Sequence, residues 1–289
     1  MKVTPVTYGQ SQRPPRGDYS VARDDYTCDQ AWNSYTPEQH DLYSRLFARQ
    51  LRLVHGRACD EFLRALKHLD MAERIPRFGQ VSELLGRATG WQIVAVPGLI
   101  PEEAFFRLLS QRRFPVTVWL RTPEEFDYIV EPDLFHDLFG HVPLLFDPVF
   151  ADYMQAYGKG GLKALHYNAL ELLARLYWYT VEFGLIDTPH GVRVYGAGIL
   201  SSPGELERAL IDPSPLKIRF DLRRVLRTRY EIDDFQKTYF VIDAFGQLFE
   251  ETAQDFAPIY QQLLPLPAHP SDQVQPGDRL LAPPAAATS

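Results

Sequence analysis

Between Leu176 and Leu185 the chain reads LYWYTVEFGL, and Glu182 is the only charged residue in that stretch. Aromatic and aliphatic neighbours on both sides will bury it, so the fold has to bring a cation to this carboxylate. Its place near the end of a helix adds to the demand, because the helix dipole there disfavours negative charge by a few tenths to about 1 kcal/mol. Trp178, four residues earlier, shares the same face and would line the same pocket. Glu171 on the same helix raises no such conflict and reads as surface or structural.

A second stretch offers partners. FHDLFGHVPL, from Phe135 to Leu144, places His136 and His141 five residues apart. On an ideal α-helix five residues turn through about 500°, which leaves the two rings roughly 140° apart. Gly140 can take the left-handed conformation that ends a helix, and Pro143 cannot continue one. The sequence therefore predicts a helix ending near Gly140, with His141 turned back toward His136. Histidines at a helix end can also simply bond the last carbonyls. With Glu182 added, two imidazoles and a carboxylate suit non-haem Fe(II) with open positions, and a catalytic zinc is the rival.

The rest of the chain frames these stretches. Its 289 residues suffice for a sizeable core, and 45% apolar with 23% charged residues is ordinary for a globular protein. A net charge of −7 argues against nucleic acid and anionic membranes as partners. Cys28 and Cys59 are the only cysteines, without a CxxC, so a disulfide framework is not expected and a reducing compartment is. No apolar run approaches the roughly 18 residues of a membrane span, and the N-terminus does not resemble a secretory signal. The cytoplasm is the expected location.

Residues 1–20 are polar and proline-rich and read as a poorly ordered arm, 21–264 as a single domain, and 265–289 as a mobile Pro/Ala-rich tail. Thr36-Pro37-Glu38-Gln39 is a capping box that opens a helix carrying Leu42, Leu46, Phe47, Leu51 and Val54 on one face. Further helices are predicted over 60–69, from Pro101 with Phe105, Leu108 and Leu109, over 162–183, and through Phe240, Ile242, Phe245, Leu248 and Phe249. Short strands are predicted at 91–95, 116–120 and 193–195. The expected class is α+β, mainly α-helical, with a small β-sheet. The Gly-Ala-Gly at 196–198 lacks the third glycine of a dinucleotide fingerprint, no GxSxG surrounds Ser201 or Ser202, and the basic run 217–229 reads as a solvated face.

Three blocks together carry a resemblance. EPDLFHDLFGHVPL (131–144) resembles the iron-binding signature of the pterin-dependent aromatic amino acid hydroxylases. YWYTVEFG (177–184) resembles the segment with that family's iron carboxylate, and YGAGILSSPGEL (195–206) resembles a third family block. The blocks occur in family order, and the resemblance covers roughly residues 30–260. It implies the family's catalytic domain, a basket of helices with a small sheet. The implied reaction uses Fe(II), a tetrahydropterin and O2 to hydroxylate L-phenylalanine to L-tyrosine, a step of phenylalanine catabolism. Tryptophan or tyrosine hydroxylation stands as the alternative within the family, and a His2Glu zinc hydrolase outside it. The chain is expected to lack the regulatory domain and the tetramer-forming helix of the animal members, so it is similar to the short bacterial form and is expected to be a monomer.

The resemblance also assigns residues. His136, His141 and Glu182 would hold the iron by one face. Arg121 would grip the substrate carboxylate. Tyr128, Ile129, Trp178, Phe183 and Gly198 would line the amino acid site, with Ile129 departing from the Thr of animal members. Ser201 would orient an iron-binding histidine from the substrate side. For the pterin, the resemblance points to the loop of Val96, Gly98, Leu99 and Ile100, to Phe105 as the stacking ring, and to Ala174 and Tyr177 as a wall. Asp137 stands where animal members have Glu and is one methylene shorter, so its pterin contact would run through water.

Overall fold

The computed structural model describes residues 15–232 and 234–281. Helix α1 (Pro37–Val54) begins at the expected capping box: the Thr36 hydroxyl accepts from Gln39 N–H, and the Gln39 side chain accepts from Thr36 N–H. Leu42, Leu46, Phe47 and Val54 are buried, whereas Leu51 is 41% exposed at the rim of that face. Helix α2 (Asp60–His68) follows as expected, then α3 (Phe78–Thr89), which the sequence reading missed. Strand β1 (Gln92–Val96), helix α4 (Glu102–Ser110) and strand β2 (Arg113–Thr117) form a right-sized crossover, and β1 and β2 pair in parallel. The second strand was expected at 116–120. It lies three residues earlier: Val118 N–H makes a last bond to the Val96 carbonyl at 3.1 Å, and Trp119 and Leu120 lie beyond the paired residues.

The expected long helix over 162–183 is three elements. Helix α5 (Pro148–His166) is opened by Asp147, whose side chain accepts from Phe150 N–H, with Pro148 at the first position. Asn168 is left-handed (φ 52°) and breaks the path. Helix α6 (Leu170–Tyr177) then passes into a π-helix over Trp178–Glu182. The apolar period runs through the break because both helices turn an apolar face to one core.

Strands β3 (Leu185–Thr188) and β4 (Gly191–Val194) form an antiparallel hairpin. Short helices α7 (Ala197–Leu200) and α8 (Pro203–Leu210) come next, then β5 (Leu216–Arg219) and α9 (Leu222–Leu226). The expected helix through 240–249 is a strand and a helix, β6 (Thr238–Ile242) and α10 (Phe245–Thr252). All five residues of β6 are buried, so its continuous apolar run mimicked a helix face. Helix α11 (Ala257–Leu263) closes the set. The second sheet has the order β4-β3-β6-β5, with β6 parallel to both neighbours. The fold is thus mainly helical with two small sheets.

Both ends depart from expectation where they are described. Residues 1–14 and 282–289 lie outside the described residues. From Arg16 onward the arm is pinned, with the Tyr19 hydroxyl donating to the Leu99 carbonyl at 2.8 Å. The segment read as a mobile tail lies along β5: Arg219 N–H donates to the Arg279 carbonyl and Leu281 N–H to the Lys217 carbonyl, each at 2.8 Å. Asp278 pairs with Arg224 at 2.9 Å, and both side chains are buried. Proline content marked this segment as irregular, which it is, but not as loose. The basic run is likewise not all solvated, since Lys217 and Arg224 are buried.

Candidate metal centre and the residues around it

The five-residue spacing has a different solution from the expected helix end. His136–His141 is itself a π-helix, in which Val142 N–H bonds to the Asp137 carbonyl. An i→i+5 turn takes about one residue more than an α turn, so residues five apart return to one face. Gly140 is not left-handed. It is required for packing: a Cβ there would sit 2.9 Å from the Ala197 carbonyl oxygen and 3.0 Å from the Ala197 Cβ. Pro143, without an N–H, follows in a tight 3₁₀ turn over Val142–Phe146.

Glu182 arrives by the same device. In the second π-helix Phe183 N–H bonds to the Trp178 carbonyl at 2.8 Å. The Thr180 hydroxyl bonds back to the Leu176 carbonyl at 2.5 Å, satisfying an acceptor where the helix widens.

The three side chains converge. His136 Nε2 and His141 Nε2 are 3.1 Å apart, His141 Nε2 is 3.2 Å from Glu182 Oε1, and His136 Nε2 is 3.6 Å from Glu182 Oε2. Two donors about 2.1 Å from one ion and at right angles lie about 3.0 Å apart. The triangle therefore fits one face of a coordination shell, and among the described residues this is the one grouping of three such side chains. The donor chemistry fits as well. The Ser201 hydroxyl donates to the Ala197 carbonyl at 2.9 Å, so it receives Nδ1–H of His136 at 2.8 Å. That leaves His136 Nε2 unprotonated toward His141 and Glu182.

Charge follows geometry. Burial drives His136 down to about 4, against the pull of Glu182. Burial lowers His141 too, but the charge and hydrogen bond of Glu182 outweigh it and hold His141 above its ordinary value. Glu182, raised by burial, is lowered further by His141 and ends below the usual carboxylate range. Beside them, burial pushes Asp137 up to about 7, although it accepts Thr117 N–H at 2.7 Å.

The remaining expected residues divide by position. Tyr177 lies flat to the His141 ring at 6.2 Å, and Phe105 meets Tyr177 edge-on at 5.8 Å, so both sit on the His141 side. Ala174, half-buried, lies one turn before Tyr177 on α6, and Val96, Gly98 and Ile100 are buried at the end of β1 with Leu99 half-buried. On the other side Trp178 stacks on Tyr230 at 4.3 Å and tilts onto Phe183 at 4.9 Å. A Cβ at Gly198 would be 2.9 Å from the Phe183 ring and 3.1 Å from the Glu182 carbonyl oxygen. Tyr128, by contrast, is 58% exposed, and Ile129 beside it is half-buried.

Arg121 is buried, not a surface residue. Its Nε and Nη2 donate to the two oxygens of Asp133 at 2.9 Å, and its backbone N–H joins them. Asp133, fully buried, also accepts His136 N–H at 3.0 Å, which ties the guanidinium to the first π-helix. Sequence reasoning gave Asp133 no role, though a carboxylate in the quoted block ahead of an apolar run was a signal. It also missed Gln236, whose side-chain oxygen receives the Trp178 indole N–H at 2.9 Å.

Comparison with known proteins agrees with this architecture. Residues 26–267 match the family described as biopterin-dependent aromatic amino acid hydroxylase. The phenylalanine-4-hydroxylase of Ralstonia nicotianae is 57% identical over 265 residues, covering 91% of this chain and 85% of that one. That of Chromobacterium violaceum is 57% identical over 258 residues, covering 89% and 87%. An iron- and phenylalanine-bound crystal structure of the C. violaceum enzyme superimposes with a TM-score of 0.86 at 55% identity, covering 92% of this chain and 96% of that chain. The chain belongs to the biopterin-dependent aromatic amino acid hydroxylase family.

Proposed function

We infer that this chain is an iron- and tetrahydropterin-dependent phenylalanine 4-monooxygenase that converts L-phenylalanine to L-tyrosine with O2, the entry step of phenylalanine breakdown. One observation carries the reading. His136, His141 and Glu182 meet with edges of 3.1–3.6 Å in a chain 57% identical to relatives named phenylalanine-4-hydroxylase. Those names disfavour the tryptophan, tyrosine and zinc-hydrolase alternatives.

His136, His141 and Glu182 would hold Fe(II) by one face, and the bound metal supplies the redox chemistry that activates O2 with the pterin. The protein's own part is placement. Arg121 is clamped in plane by Asp133, and its Nη1 is the nitrogen left for a substrate carboxylate. Trp178 and Phe183, with Gly198 packed between Phe183 and Glu182, would line a slot for an aromatic ring. Tyr128 and Ile129 would complete the amino acid site. Ser201 holds the His136 ring, so one hydroxyl sets both tautomer and orientation. Opposite, Phe105 would stack on the pterin, with Ala174, Tyr177 and the 96–100 loop around it. Asp137, drawn up toward neutrality by its burial, would face the pterin through water.

A substrate panel tests the reading. The Fe(II)-loaded protein with a tetrahydropterin in air should convert phenylalanine at a kcat/KM well above that for tryptophan or tyrosine. A reversed order would keep the family and change the substrate.

The expected setting is a cytoplasmic monomer without nucleic-acid or membrane partners. Among the described residues no helix is long and apolar enough to cross a membrane, and both cysteines are free and buried. Light scattering across a concentration series and cell fractionation test these two points.

A further inference from the structure

Arg16 to Tyr19 cross three loops that the sequence keeps far apart. The Tyr19 hydroxyl donates to the Leu99 carbonyl at 2.8 Å. Arg16 N–H donates to both oxygens of Glu131, at 3.0 and 3.2 Å. The Arg16 guanidinium pairs with Glu125 at 2.7 Å and lies 4.2 Å over the Trp119 ring. Backbone meets backbone here without side chains between. Gly17 has φ 105°, and a Cβ on it would be 1.9 Å from the Pro97 oxygen. A Cβ on Gly98 would be 2.5 Å from the Arg16 oxygen and 2.9 Å from the Tyr19 hydroxyl. The two glycines permit one close crossing, and only glycine takes such a φ without strain. Beside that crossing the buried Trp119 indole N–H has no hydrogen-bond partner among the described residues.

The three loops are not arbitrary. Residues 96–100 are the candidate pterin loop, 119–125 carry Arg121, and Glu131 follows Tyr128 and Ile129. We propose that Arg16–Tyr19 is a positioning strap for the pterin subsite, with Tyr19 holding the 96–100 loop through Leu99 and Arg16 anchoring the strap to the loops of the amino acid side. The proposal rests on the pterin reading given above. A loop that offers backbone groups to a ligand has to hold its peptides in fixed orientation, because each peptide it fixes on binding costs entropy. Tyr19 fixes the Leu99 peptide beforehand. Burial, with Glu131 nearby, pushes the Tyr19 hydroxyl up to about 12, so it stays a donor throughout the physiological range.

Two measurements on the full Fe(II)-loaded chain test the strap. In steady-state kinetics, Tyr19→Phe should raise KM for the tetrahydropterin about fivefold, the loss of one hydrogen bond. KM for phenylalanine and kcat at saturating pterin should change by less than about twofold on the same scale. Gly17→Ala, which displaces the crossing, should shift the same constant further, and Asp24→Ala, an exposed residue beyond the strap, should not. A pterin KM unchanged in both Tyr19→Phe and Gly17→Ala, or a proportional change in all three constants, overturns the strap. Equilibrium binding of 7,8-dihydrobiopterin, read by quenching of tryptophan fluorescence, needs no turnover. Weaker binding to Tyr19→Phe than to the wild type supports the strap, and equal binding overturns it. If the wild type binds no pterin at all, the pterin reading itself fails, and the strap with it.

Discussion

His136 hands its Nδ1–H to the Ser201 hydroxyl at 2.8 Å, and that hydroxyl spends its own proton on the Ala197 carbonyl at 2.9 Å. With the hydroxyl proton on the Ala197 carbonyl, the bond to Ser201 assigns the Nδ1–H tautomer and leaves a bare Nε2 facing His141 and Glu182. Ser201→Ala should keep the fold and free the ring to rotate or change tautomer. Fe(II) affinity should fall by about 10–100-fold, read by competition with a metallochromic chelator. Unchanged affinity would make Ser201 a packing residue only.

Gly140 separates two explanations of the histidine spacing. A left-handed cap would tolerate Asn better than Ala. A close approach to Ala197 penalises both, and the larger side chain more. Gly140→Ala should cost about 1–3 kcal/mol in denaturant melts, and Gly140→Asn more. The reverse order would restore the helix-end account.

Arg121 is clamped by Asp133 and is proposed to bind the substrate carboxylate, and substitution tests both. Arg121→Ala leaves Asp133 buried without its partner and should cost about 3–5 kcal/mol of stability. Arg121→Lys keeps a charge but loses the fork, so the apparent KM for phenylalanine should rise about tenfold or more, the worth of a bond to a charged group. A folded Arg121→Lys enzyme with unaltered KM would remove Arg121 from the amino acid site.

Glu205 gives a test of pH dependence away from the His136–His141–Glu182 cluster. It is buried, accepts the Tyr239 hydroxyl at 2.7 Å and Gln236 N–H at 3.3 Å, and burial holds its pKa above the usual value. The folded chain therefore keeps a proton that the unfolded chain releases, and the cost appears as pH rises from the ordinary carboxylate range through the raised value. Glu205→Gln should raise Tm at pH 8, with a gain that shrinks toward pH 4. A gain that is largest in acid would show that Glu205 is stabilised as the anion.

Much of this was readable before the fold was known, for definite reasons. The Thr36 capping box and the Asp60 helix are local signals, and they appear where expected. The conflict at Glu182 is chemical, so it named a partner without needing coordinates. The π-helices were not readable, because an i→i+5 turn has no residue preference of its own and depends on the packing around Gly140 and Thr180. Asp133 and Gln236 were missed for a related reason: each matters through one distant partner, Arg121 or Trp178. The break at Asn168 and the buried strand Thr238–Ile242 were lost because apolar period alone does not mark where one element stops.

The central claim is that His136, His141 and Glu182 together hold the iron that makes hydroxylation possible. The direct measurement pairs iron content with tyrosine formed per pterin oxidised, in the wild type, His136→Ala and Glu182→Ala. The wild type should bind one Fe(II) per chain and form tyrosine, whereas both variants should stay folded, lose most of the iron and form none. Full iron content with tyrosine formation in either variant would contradict the assignment of that residue as a ligand. Absence of tyrosine from the iron-loaded wild type would contradict the function itself.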